Sequence, residues 1–273
     1  MSIEFGFSHH PKWEASESGE AFLAPLMAAG GTALEFTLYP PDEDYAALLA
    51  LAERCACAGR HCSLHAPYKD PWNSAGFAGP RRAELQALFT PALEFAERIS
   101  ELGGFDAPLV IHGAHGESSL DQLSEDTREF LGWVLERTRR IRPMLENLPP
   151  KPGYLRVGET PEQVADLVNA ISHPRLGACW DFGHSVLQGQ GMPSEAFVRA
   201  VRHVHVHDIN PEGEDHFPLV FGRVPWRDDL AALKAAGFGG LVILEINGYR
   251  ASKLSGLNGL LADSFAAMTE AIA

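Results

Sequence analysis

The sequence predicts an α/β fold, a (β/α)8 barrel running as a single domain over residues 1–273. Short apolar runs recur every ~30 to 45 residues, and an amphipathic helical stretch follows each. Eight such pairs can be laid out along the chain. Alternation of this kind makes the strands parallel and the crossovers right-handed, so that eight units close a TIM barrel with its functional face at the C-terminal strand ends. The length agrees, since such a barrel takes ~250 residues. A doubly wound open sheet, the competing architecture, usually carries a Gly-rich phosphate loop after its first strand. Here that position reads Phe7-Ser8-His9-His10, and no GxGxxG is present.

The strands are expected at Ile3–Ser8, Ala33–Leu38, Cys62–Ala66, Leu109–Gly113, Met144–Leu148, Leu176–Phe182, Val201–Asp208 and Leu241–Asn247. Several helices should close just before the next strand, at Ala28-Ala29-Gly30-Gly31, Ala58-Gly59, Leu102-Gly103-Gly104 and Ala235-Ala236-Gly237. Glycine there supplies a left-handed helix stop without steric cost. Thr160-Pro161-Glu162-Gln163 reads as a helix start, with Thr160 as N-cap, proline at the first helical position and Gln163 closing a capping box. No linker or break in composition divides the chain.

With 22 Lys and Arg against 36 Asp and Glu, the formal charge of -14 is a poor field for a polyanion. No apolar run is long enough for a membrane span, and Met1-Ser2-Ile3-Glu4 lacks the features of a signal peptide, so a cytoplasmic protein without a membrane partner is expected. Cys55, Cys57, Cys62 and Cys179 show no CxxC spacing and read as reduced, mostly buried residues.

The most informative stretch is His203-Val204-His205-Val206-His207-Asp208. As a strand it puts three imidazoles on one face and two valines on the other. The valines can pack under a covering layer, which leaves the histidines facing a polar enclosed space such as a barrel interior near its rim. The other strand ends deliver similar side chains: His65, His112, Glu146-Asn147, Asp181 with His184, and Glu245, while the loop after strand seven adds Glu214-Asp215-His216. Imidazole and carboxylate together suit zinc, manganese, iron(II) or cobalt. A one-metal site would use about four of these ligands; the remainder would contact substrate or hold a second and third ion. Burying so many ionisable groups without a cation would be costly. One to three divalent transition ions are therefore expected.

These motifs resemble the xylose isomerase-like TIM-barrel superfamily, which includes endonuclease IV and many sugar isomerases and epimerases. The resemblance covers nearly the whole chain and rests on Leu64-His65-Ala66-Pro67-Tyr68, Glu146-Asn147, Asp181-Phe182-Gly183-His184, His205-Val206-His207-Asp208 and Leu244-Glu245. By resemblance to endonuclease IV, the metal ligands would be His65, His112, Glu146, Asp181, His184, His205, Glu214, His216 and Glu245. Glu214 stands where that family has Asp, and Asp215 is the alternative. Single-metal members resemble the subset Glu146, Asp181, His205 and Glu245. Two departures stand out. Leu219-Val220-Phe221-Gly222-Arg223 replaces the usual Leu-Gly-Glu-Gly turn, and the acidic Tyr39-Pro40-Pro41-Asp42-Glu43-Asp44 replaces a DNA-invading loop.

The resemblance and the acidic pocket imply a metal-dependent sugar or sugar-phosphate isomerase or epimerase acting on a small, sugar-like molecule. Glu146 and Glu245 would flank the carbon whose proton moves, and His184 would donate to a substrate oxygen. Tyr68 and Trp72 are expected to line a sugar pocket, with His115, Asn147 and His207 as further substrate contacts or partners of the ligands, and Glu35 as either a substrate-hydroxyl contact or a member of an inner-barrel salt bridge. A neutral polyol fits that pocket, since no Gly-rich phosphate cradle appears. His10 is placed near the rim from strand one. The alternative is endonuclease IV-like multi-zinc phosphodiester hydrolysis, which the full ligand set favours and the acidic strand-two loop opposes. A metal-holding binding barrel ranks third, and no nucleic-acid partner is expected.

Overall fold

A computed structural model describes residues 2–9, 28, 30–38 and 45–272. In chain order its strands are β1 (Glu4–His9), β2 (Ala33–Thr37), β3 (His61–His65), β4 (Pro108–Ile111), β5 (His115–Gly116), β6 (Arg142–Glu146), β7 (Leu155–Arg156), β8 (Gly177–Asp181), β9 (Val201–Val206) and β10 (Leu241–Leu244). Eight of them close a parallel barrel in the order β1-β10-β9-β8-β6-β4-β3-β2, while β5 and β7 form a separate antiparallel pair. The helices are α1 (Tyr45–Cys57), α2 (Arg82–Gly103), α3 (Leu120–Arg137), α4 (Pro161–Ile171), α5 (Phe182–Leu187), α6 (Glu195–Ala200), α7 (Trp226–Ala235), α8 (Gly248–Ala251) and α9 (Leu257–Ile272). The fold is a (β/α)8 barrel. Among the described residues, no helix is long and apolar enough to cross a membrane.

Strand alternation divides the core into two parts. Outward-facing Phe36, Leu64, Ile111, Leu145, Trp180, Val204, Val206 and Leu244 join the large cluster beneath the helices. Inward-facing residues form two small apolar groups, Ala33 with Leu241 and Ile243, and Val110 with Met144 and Cys179. Above these layers the same inward positions turn polar. The β8–β9 pairing skips Arg202, so that Ala178 faces Val201 and Cys179 faces His203. This local bulge leaves Arg202 exposed and keeps His203 and His205 inside.

Several strands end earlier than expected, at His65, Ile111, Glu146, Asp181, Val206 and Leu244. Capping accounts for two of these. The Asp181 carboxylate accepts from His184 N at 2.7 Å and starts α5, and Asn247 Oδ1 accepts from Arg250 N at 3.1 Å and starts α8. Thr160 caps α4 as anticipated, accepting from Gln163 N at 3.2 Å. Gln163 does not close the expected box: its side chain accepts from Gly158 N at 3.1 Å and ties down the preceding loop. The four cysteines are free, and all but Cys57 are buried.

The long loop between β9 and α7 is organised by one buried carboxylate. Asp208 Oδ2 accepts from the amides of Phe221 and Gly222, both at 2.6 Å, and Oδ1 accepts from Ile209 at 2.9 Å and Arg223 at 3.0 Å. The unusual Leu219–Arg223 segment thus wraps its amides around Asp208, which is only 2 % exposed. Asp208 consequently belongs to the scaffold of the rim and contributes no exposed charge to it. Hydrogen bonds to a charged group contribute ~1.5–3 kcal/mol each at best, and shared acceptors contribute less. Asp208→Ala should lower stability by about 3 kcal/mol in urea unfolding, with unpaired amides as the cause. A change under about 0.5 kcal/mol would contradict this role.

Candidate active site

The polar inner face converges at the C-terminal mouth. His65, Glu146 and Asp181 are the last residues of their strands, and His112, His207 and Glu245 each lie one residue past a strand end. In the ladders, Asp181 is level with His205, and His205 with Ile243. Glu146 is level with Cys179, and Glu245 lies two residues past Ile243, so barrel stagger offsets the ligands of neighbouring strands along the ladders.

Among the described residues three overlapping groups meet at the mouth: His65, His112 and Glu146; Glu146, Asp181, His205 and Glu245; and Asp181, His184, His207 and His216; a fourth, fully buried group of Cys179, His203 and His205 shares His205 with the second. Within each group one nitrogen or oxygen per residue lies within 4.8 Å of the others. His205 Nδ1 is 2.9 Å from Glu146 Oε1 and 3.0 Å from Glu245 Oε2. Glu146 Oε2 lies 2.8 Å from His112 Nε2 and 3.5 Å from His65 Nε2.

The imidazoles are held from behind. His65 Nδ1 lies 2.8 Å from the Ala66 carbonyl and His184 Nδ1 lies 2.9 Å from the Asn147 carbonyl. A carbonyl can only accept, so each Nδ1 carries a proton, which leaves Nε2 as the nitrogen available to a metal, the orientation found in metal-binding histidines. His216 Nδ1 is 2.9 Å from Asp215 Oδ1, and Arg250 bonds the same carboxylate. The His216 backbone is left-handed, with φ 60°, and its amide donates to His207 Nδ1 at 3.1 Å. His207 Nε2 lies 3.1 Å from Asp181 Oδ1 without an aligned hydrogen bond. Gly183 is required by this packing, because a Cβ there would sit 2.0 Å from His207 Cε1.

The donor set fits a divalent cation. Glu146 Oε2, Asp181 Oδ2 and Glu245 Oε2 are buried and make no aligned hydrogen bond despite their close imidazole neighbours. Converging acceptor oxygens and imidazole nitrogens need a positive centre. Burial alone would raise the Glu146 and Glu245 carboxyls, but the His205 charge and the adjoining imidazoles hold both well below the usual range. Burial lowers His112 to about 4 despite Glu146, so its ring is neutral and able to ligate. Burial acts downward on His205 too, yet Cys179, Glu35 and the flanking carboxylates drive it well above the ordinary imidazole value.

Some expected site residues lie elsewhere. Glu214 is exposed, and the turn that bonds its side chain to Asn210 Nδ2 at 2.9 Å turns it away from the three groups; Asp215 stands beside His216 instead. Glu35 is fully buried one layer below the mouth and touches no open space. It accepts from Ser63 at 2.9 Å, pairs with His203 Nε2 at 2.8 Å and lies 2.9 Å from His205 Nε2. Burial would raise its carboxyl, but His205 and His203 bring it to about 2. Asn147 likewise does not line the cavity. Buried to 1 % exposure, it joins β6 to β8 by accepting from Asp181 N at 2.7 Å and donating to the Asp181 carbonyl at 2.9 Å. His207 is buried between Asp181 and His216. Trp72 packs against the large core cluster and does not line the cavity at the mouth. His10 and the 39–44 segment lie outside the described residues.

A cavity of about 390 Å³ opens over the three groups, lined by His65, His112, Glu146, His184, His216 and Glu245 on its floor. Tyr68, whose ring centroid is 4.4 Å from that of His112, and His115 line it. Asp70, Lys69, Lys151 and Arg156 line it as well. Lys151 and Arg156 were not anticipated. The Pro149-Pro150-Lys151-Pro152-Gly153 turn, one residue after Glu146-Asn147, is the sequence signal for a rim loop there.

A parallel barrel carries convergent imidazoles and carboxylates at its C-terminal mouth, a cluster that could hold a metal ion. The chain belongs to the xylose isomerase-like TIM barrel family, whose profile matches residues 23–270. It is similar in structure to a D-tagatose 3-epimerase-like protein, with a TM-score of 0.69 and 20 % identity over 98 % of this chain and 96 % of that one. The L-ribulose 3-epimerase structure gives 0.68 at 15 % identity over 100 % and 95 %. A D-allulose 3-epimerase from Methylomonas sp. in complex with D-allulose gives 0.68 at 15 % over 98 % and 97 %. In sequence, 108 residues are 33 % identical to the uncharacterized protein MJ1311 of Methanocaldococcus jannaschii, spanning 37 % of this chain and about a third (35 %) of that relative.

The geometry predicts that Glu245→Gln, at the mouth and outside the packed layers, lowers bound divalent metal at least about tenfold while the unfolding midpoint of the metal-free protein stays within about 3 °C. Elemental analysis after dialysis checks this. Unchanged metal content would remove Glu245 from the ligand set.

Proposed function

We propose that the protein is a metal-dependent sugar or sugar-phosphate isomerase or epimerase that moves a proton at a carbon next to a carbonyl. The observation that carries this reading is the placement of Glu146 and Glu245. They reach from strands β6 and β10, which β8 and β9 separate, to within 3.0 Å of one imidazole nitrogen, under a cavity sized for a small molecule. One carboxylate is placed to take a proton from a bound polyol, and the other to return it at the same or a neighbouring carbon. The Nε2 atoms of His184 and His216 face the same space and are placed to hold substrate oxygens or to complete the ligand set. A divalent ion held by Glu146, Asp181, His205 and Glu245 would supply electrostatic stabilisation for the negative charge that develops on oxygen when the proton leaves. Zinc, manganese, iron(II) and cobalt all suit this mixed set. The neighbours of the same fold are named for ketose 3-epimerases, which supports a ketose as the first substrate class to test.

A second reading, endonuclease IV-like phosphodiester hydrolysis by two or three ions, is favoured by the three contiguous ligand groups. One experiment separates the two. Metal-loaded protein is incubated in D2O with D-allulose, D-tagatose, L-ribulose and ketose phosphates, and in parallel with an abasic-site duplex. The proposal expects deuterium at a carbon beside the carbonyl of at least one ketose or ketose phosphate, dependent on metal, and no incision at physiological salt. Efficient metal-dependent incision with no exchange into any sugar would replace it with the hydrolase.

A further inference from the structure

The cavity has two chemically different ends. Its floor holds the carboxylates and imidazoles described above, and its outer wall carries cations. That wall is built by the β5–β7 pair, a two-residue antiparallel ladder in which His115 faces Arg156 and Gly116 faces Leu155. The ladder stands above the barrel mouth and turns both His115 and Arg156 to the cavity. Arg156 is part-buried, and Nη1 donates to the Pro149 carbonyl of its own loop at 3.1 Å. Its Nε is buried and makes no hydrogen bond. Lys151, from the same loop, holds its Nζ 4.6 Å from the centroid of the Tyr154 ring, and that ring is 6.5 Å from His115. Lys69 reaches the same cavity from the loop after β3, where Asp70 is the opposing charge; Glu159 is the acid that acts on Arg156. Burial and the Arg156 and Lys151 charges keep the His115 imidazole below its ordinary value although Asp70 acts against them, as expected at a positive wall.

In a chain with a formal charge of -14, a part-buried guanidinium whose buried Nε lacks an acceptor, set beside a lysine on a small-molecule cavity, calls for an anionic ligand. We infer that Lys151 and Arg156, with His115, form a subsite for an anionic group, a phosphate monoester or a carboxylate, at the end of the substrate remote from the reacting carbon. This inference rests on the reading of the site as a sugar isomerase or epimerase. It replaces the neutral polyol suggested by the sequence with an acidic sugar. The guanidinium offers paired donors to a tetrahedral or planar anion, Lys151 adds a mobile charge, and the ladder fixes His115 opposite Arg156.

The test measures binding, so that it does not depend on turnover. Metal-loaded wild type is titrated calorimetrically with D-ribulose, D-ribulose 5-phosphate, D-gluconate and inorganic phosphate, and so are Lys151→Gln, Arg156→Gln and the double variant. Metal content is verified for each. A charged hydrogen bond of ordinary strength predicts that wild type binds the phosphate ester or the sugar acid about 10- to 100-fold more tightly than the neutral ketose. The double variant should lose at least about tenfold of that preference with metal content unchanged. Preference for the ester alone identifies a phosphate subsite, and preference for gluconate a carboxylate subsite. Equal binding of neutral and charged ligands overturns the inference. So does a preference that survives in the double variant, since the metal cluster would then be taking the anion. If the acidic sugar binds tightly through Lys151 and Arg156 but no ligand exchanges a proton, the isomerase reading fails while the subsite stands.

Discussion

Three carboxylates and several imidazoles are buried together at the mouth of a parallel barrel, and the rest of the structure follows from keeping that arrangement intact. Glu146 and Asp181 are fully enclosed, and Glu245 nearly so. Removing such groups from water is unfavourable by several kcal/mol per ion unless each finds an opposite charge or a cation. Imidazolium partners can answer part of this demand. They do not align with Glu146 Oε2, Asp181 Oδ2 or Glu245 Oε2, which are left pointing inward without donors. A divalent ion would supply the missing positive charge, with Glu146, Asp181, His205 and Glu245 as the residues to hold it, and the neutral His112 ring and the carbonyl-anchored His65 and His184 fit the same demand.

The surrounding shell serves orientation. Glu35 lies behind His205 so that Nδ1 faces Glu146 and Glu245. Asn147 locks β6 to β8 and, through its carbonyl, sets the His184 ring. Asp208 gathers the amides of the loop that returns Asp215 and His216 to the mouth, and Gly183 leaves the space that the His207 ring occupies. None of these residues needs to touch a substrate. Their hydrogen bonds fix ring rotations and tautomers, which decide whether a cluster of donors behaves as a site.

Much of this was legible in the sequence because strand alternation is a strict code. The two-residue period in His203–His207, and the placement of a polar residue two positions after Ser63, Val110, Met144, Cys179 and Ile243, gave the inward face of each strand and the level of its ligand. Loops carry no such period. Choosing between Glu214 and Asp215 depends on a turn closed by Asn210 and on a left-handed backbone at His216, neither of which spacing reveals. Glu35 could be placed on the inner face, but its depth below the mouth depends on barrel stagger. The cationic wall was missed because Lys151 and Arg156 belong to a loop whose two-residue pairing with His115–Gly116 is too short to leave a hydrophobic pattern.

The central claim, that the buried cluster is assembled for cations and is not a self-sufficient polar core, is tested most directly by thermal unfolding of the stripped protein with and without added zinc or manganese. An ion that binds only the folded chain stabilises it by about 2.7 kcal/mol at a hundredfold excess over its dissociation constant, which for a chain of this size raises the midpoint by about 5–10 °C. The account predicts a rise of that order in wild type and little or none in Glu146→Gln. Superimposable wild-type curves with and without metal, at concentrations up to a millimolar, would contradict it.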